Sequence, residues 1–135
     1  MHRRRLLSLA AALTLTASVA HAAAANDKTK KKGGGDSYIP INTLTGATTK
    51  SGGRRGVLTV ECGLDVPDGG LRARAEASLP RLRAAYVQTV MTYAAGLPAG
   101  AAPNADFLSR EMQRETDALL GRPGARVLLG AILVN

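Results

Sequence analysis

Between Leu71 and Tyr93 the large apolar residues return every three or four positions, at Leu71, Leu79, Leu82, Tyr86, Val90 and Tyr93, with Ala75 filling one gap. That period lays a single stripe along a helix and leaves Arg72, Glu76, Arg81, Arg83 and Gln88 around the other side. Pro80 stands inside the pattern, and an interior proline kinks or divides a helix. The stripe keeps its phase across it, so both halves are expected to pack on one sheet. Asp68 is suited to cap the start. A loop at 96–103 then leads to a second helix, capped by Asn104 or Asp106, whose inner face is Leu108, Met112, Thr116, Leu119 and Leu120. Gly121 ends it and Pro123-Gly124 turns the chain. Its outer face carries Arg110, Glu111, Arg114, Glu115 and Asp117, a mixed-sign set that reads as solvated surface.

Residues 57–66 alternate instead of following the helical period. Leu58, Val60, Cys62, Leu64 and Val66 share one face while Thr59, Glu61 and Asp65 share the other, which is the pattern of a half-buried antiparallel strand. A first strand is predicted at 38–45, where Pro40 removes a ladder donor and so marks an edge or a strand start. Residues 46–56, rich in Gly, Thr, Ser, Lys and Arg, read as a long hairpin connection. The run at 126–134 is nearly all apolar and predicts a strand buried on both faces, central in the sheet. The order strand, strand, helix, helix, strand makes an α+β domain, a small antiparallel-type sheet covered by helices.

Ahead of it, residues 1–22 combine basic Arg3, Arg4 and Arg5, an apolar run from Leu6 to about Val19, and the small-x-small end Ala20-His21-Ala22. These are the parts of a secretory signal peptide, with cleavage expected after Ala22. The apolar run falls short of the ~20 residues that a membrane span requires. The chain is therefore read as exported to the periplasm, held at the membrane only if the signal stays uncleaved. Arg3-Arg4 before Leu6-Leu7 also resembles a twin-arginine signal, too weakly to choose the route. Residues 23–37 offer nothing to bury and are expected to be a disordered linker. The domain boundaries are thus 1–22, 23–37 and 38–135.

The net charge of +8 suggests a nucleic-acid partner until its placement is considered. Setting aside Arg3, Arg4, Arg5, Lys28, Lys30, Lys31, Lys32 and the neighbouring Asp27 leaves a charge of +2. With one Phe, three Tyr and no Trp there is no base-stacking platform, and nucleic acid is excluded as a partner. The single cysteine, Cys62, falls on the apolar face of its strand and reads as a buried structural thiol. Both histidines, His2 and His21, lie in the signal, so its removal leaves none to activate a nucleophile. No cysteine spacing suits a metal, and Gly33-Gly34-Gly35 sits in the linker and forms no phosphate cradle. The sequence therefore assigns no catalytic, cofactor-binding or metal residue, and only Ala20 and Ala22 are marked, at signal cleavage. A noncatalytic protein is expected.

Residues 38–135 resemble the periplasmic domain of the flagellar basal-body-associated FliL family. The resemblance rests on the strand GVLTVECGLDV, the helical segment Leu79-Pro80-Arg81-Leu82-Arg83, the run Phe107-Leu108-Ser109-Arg110-Glu111-Met112, and the closing strand GAILVN. It implies a stomatin-like fold and a scaffolding role beside the flagellar motor stator, with homo-oligomeric assembly and no catalytic residues to carry over. One departure is that the family has an uncleaved transmembrane helix where this chain has a cleavable-type signal. That departure keeps open a second reading, an accessory protein of the same fold with a different envelope partner.

Overall fold

Alternation in the second strand and helical period after it organise the structure. The protein was described from a computed structural model, in which residues 35–135 are described. The elements in chain order are β1 (Tyr38–Thr49), β2 (Arg55–Asp65), α1 (Gly69–Ala77), α2 (Leu79–Gly96), α3 (Ala105–Leu120) and β3 (Arg126–Val134). The strands form one three-stranded antiparallel sheet in the order β1-β2-β3. The fold is α+β, as the sequence predicts. The signal segment, with Ala20 and Ala22, and most of the linker lie outside the described residues.

Leu58, Val60, Cys62, Leu64 and Val66 are all buried and form the floor of the core. The helices cover that face, α2 lying mainly across β1 and α3 across β3. From above, Leu82, Tyr86, Val90 and Ala94 of α2 meet Leu108, Met112 and Leu120 of α3 over the sheet. Each apolar side chain of this size buried here contributes on the order of 2 kcal/mol.

Both edge strands carry one extra residue at the same level. The β1–β2 register shifts between Ile41 and Leu44, and the β2–β3 register shifts between Val60 and Cys62. Bulges of this kind reset which side chains point inward. In β1 the buried positions accordingly change from Ile39 to Leu44, Gly46 and Thr48. A strict period of two cannot describe such a strand.

Three expectations are corrected. The predicted single helix is two, because Pro80 occupies the first turn of α2 after a break at Ser78. The proline ring cannot continue the hydrogen-bond ladder but fits the start of a new one. The shorter piece, α1, has α2 and α3 as its main neighbours, so the two halves do not share the sheet equally. The long connection at 46–56 shrinks to a turn at 50–54, with Gly52 and Gly53 at φ 81° and 77°. Gly46 is a strand residue. A Cβ there would stand 2.7 Å from the Ala94 Cβ and 2.9 Å from the Val90 carbonyl, so its bare backbone is what lets α2 approach β1.

The third correction concerns β3, which is an edge strand and not the central one. β2 takes the centre because both other strands pair with it. In β3, Gly130, Ala131, Leu133 and Val134 are exposed. An apolar run reports hydrophobicity and leaves lateral position undetermined. Asp36 and Ser37, at the end of the expected linker, bond to the domain. The Ser37 hydroxyl donates to Asp65 Oδ1 at 2.6 Å, and Arg72 donates to the Asp36 carbonyl at 3.0 Å.

Other local signals hold. Pro40 lies on an edge strand. The Ser37 and Val66 backbone bond fixes the parity of the ladder, so the Pro40 nitrogen faces outward, where no donor is required. Asp68 caps α1, accepting from the Leu71 amide at 2.7 Å. Asn104 caps α3, and Gly121 ends it at φ 77°.

Candidate functional site

The polar side chains inside the fold join helices together. Tyr86 Oη and Thr116 Oγ1 are hydrogen-bonded in the core between α2 and α3. Thr116 also donates to the Met112 carbonyl at 2.7 Å, which uses its only hydrogen, so the tyrosine is the donor in the pair. Burial pushes the Tyr86 phenol up to about 12, opposed by the hydrogen bond with Thr116. One turn further, Thr89 donates to Glu115 Oε1 at 2.6 Å. Glu115 therefore faces α2 and does not belong to the solvated set predicted for α3. Glu111 does pair with Arg114 on the outer side.

Cys62 is buried and its thiol is pushed up to about 11 by burial, with the Arg83 charge acting weakly the other way. A thiol so protonated at neutral pH is a poor nucleophile. At the other end of the domain, Asp68 holds its carboxylate below the usual range. The Leu71 amide is the main cause, and Arg122, donating to it at 2.8 Å, adds to it. Among the described residues, no cluster of three or more His, Cys, Asp or Glu is placed to hold a metal ion.

Two surface clefts stand out among the described residues. The first, of about 400 Å³, runs beside the outer edge of β1, with Thr43, Thr45 and Ala47 along its floor and Arg83, Val87 and Met91 of α2 above it. Those three helix residues are spaced by four and so form a second stripe beside the core-facing one. Met91 is 50% exposed. The second cleft, of about 480 Å³, opens between the end of α2 and the start of α3. There Tyr93 and Phe107 stack with centroids 5.6 Å apart, and the Tyr93 hydroxyl accepts from the Asn104 amide at 2.6 Å.

The sequence reading missed the Arg83–Val87–Met91 stripe. It placed Arg83 on the outer side with the other charged residues and gave Val87 and Met91 no role. Their spacing was the available signal, hidden by the stronger core stripe one residue away. On the opposite sheet face, among the described residues, Val57 and Leu133 are exposed as well. Among the described residues no helix is long and apolar enough to cross a membrane. In comparisons with known proteins, no family model and no curated protein matches this chain.

Proposed function

We propose that this chain is a noncatalytic, exported interaction protein that supports an envelope assembly, as scaffolds of the flagellar basal body support the motor stator. The observation that carries this reading is the one-sided packing of the domain. Among the described residues, a three-stranded sheet with helices on one face leaves its other face and much of the β1 edge available to partners. The buried pair Tyr86–Thr116 and the half-buried pair Thr89–Glu115 join the helices, which fits a rigid binding body.

A second reading, an accessory protein serving a non-flagellar envelope partner, is favoured by the cleavable-type signal ending at Ala20-His21-Ala22. A deletion strain tested for swimming in soft agar separates the two. The flagellar reading expects reduced swimming with intact filaments, whereas normal swimming overturns it. Mass spectrometry of the N-terminus tests export, with a chain starting at Ala23 expected and an intact Met1 pointing to a membrane anchor.

A further inference from the structure

The sheet has two outer edges, and they are not equally open. On β3, the Gln113 side chain closes the start of the edge, accepting from the Val127 amide at 2.9 Å and donating to the Ala125 carbonyl at 2.7 Å. On β1, Pro40 presents no amide hydrogen outward, and Arg83 donates to the Asn42 carbonyl at 3.2 Å. The rest of β1 is different. The Lys50 amide donates to the Arg54 carbonyl at 2.7 Å, which sets the ladder parity at this end. Thr45, Ala47 and Thr49 therefore turn both backbone groups away from β2, and Thr45 and Ala47 line the cleft.

That stretch combines three properties. It offers a row of strand hydrogen-bonding groups, which only an extended backbone can match. Val87 and Met91 overhang it and supply apolar contact for alternate side chains of such a backbone. Its charge has one sign, because neither β1 nor α2 contains an Asp or Glu. Arg83 stands at one end of the cleft, and Lys50, Arg54 and Arg55 stand at the turn beyond the other.

We propose that this cleft takes an extended, acidic segment of a partner protein as a fourth strand on β1. The segment pairs its backbone with Thr45 and Ala47, seats alternate apolar side chains against Val87 and Met91, and places its flanking carboxylates near Arg83 and the Lys50–Arg55 turn. This rests on the interaction reading above and names the site and partner class for it.

The test selects peptides from a random phage-displayed library on the full chain and measures an enriched peptide, fluorescently labelled, by anisotropy. Enriched sequences are expected to alternate apolar residues between acidic ones, and their binding is expected to weaken as salt rises. Met91→Glu, on an exposed side chain, is expected to weaken binding about tenfold or more, the scale of an interface anchor. Thr45→Pro removes an outward amide hydrogen without breaking the β1–β2 ladder and is expected to do the same. If Thr45→Pro does not fold, Met91→Glu decides alone. Absence of enrichment, peptides without acidic residues, or affinity unchanged by the folded variants overturns the proposal. So does a Met91→Glu chain whose only change is lost self-association in sedimentation, since the occupant is then a second copy. Peptides weakened instead by Phe107→Glu would leave the interaction reading standing and place its site in the other cleft.

Discussion

Cys62 and Tyr86 are buried neutral groups, and their consequence appears only in alkali. Both are raised in the folded state, to about 11 and about 12. A raised group contributes stability fully below its unfolded value and loses it as pH climbs toward the folded one. Stability is therefore expected to be flat around neutrality and to fall from about pH 9 upward, first through the thiol and then through the phenol. Denaturant unfolding at pH 7.5 and pH 10.5 checks this, with a loss on the order of 2 kcal/mol expected at the higher pH. Cys62→Ala should remove the earlier part of the fall while costing some packing at every pH. Legibility was good at this scale wherever a residue acts through its immediate neighbours. The cap at Asp68, the stop at Gly121 and the burial of Cys62 all follow from sequence because local backbone and strand alternation decide them.

At the level of elements, one atom controls how α2 meets the sheet. Gly46 supplies the gap that Ala94 and the Val90 carbonyl occupy. Gly46→Ala puts a methyl into that gap, in a strand where the backbone cannot easily retreat. A loss of about 1–3 kcal/mol is expected, the range for overpacking a tight contact, measured by the shift in urea midpoint. An unchanged midpoint would mean that α2 rides freely on β1. The same glycine explains why the hairpin was misplaced. Among Thr, Ser and Lys it looks like a turn residue, and only the helix above it gives its reason. The position of β3 was hidden in a similar way. Its apolar run is compatible with a central strand, and what makes it an edge is the pairing of two other strands with each other. The β1-side cleft was hidden as well, since it exists only once α2 lies across the sheet.

For the molecule as a whole, the central strand serves two ladders that residues of opposite parity report separately. Leu58, Val60 and Leu64 turn their amides toward β1, while Thr59, Gly63 and Asp65 turn theirs toward β3. Native-state hydrogen exchange can thus read each ladder alone. An added charge on β3, such as Val127→Asp at a buried site, is expected to speed exchange at Thr59 and Gly63 more than at Leu58 and Leu64. Equal acceleration in both sets would mean that the sheet opens only as a unit.

That arrangement also bears on how the chain reaches its native state. β1 and β2 are joined by a short turn, but β2 and β3 meet only after all three helices have been traversed. Closing a short loop costs little entropy and is fast, whereas a distant pairing must wait until the intervening chain is compact. The hairpin can therefore form early and alone, with one side of β2 bare. Until β3 arrives, the strand with the most buried positions in the native sheet has an unpaired flank, and during that interval the chain is most exposed to misassociation with its own kind.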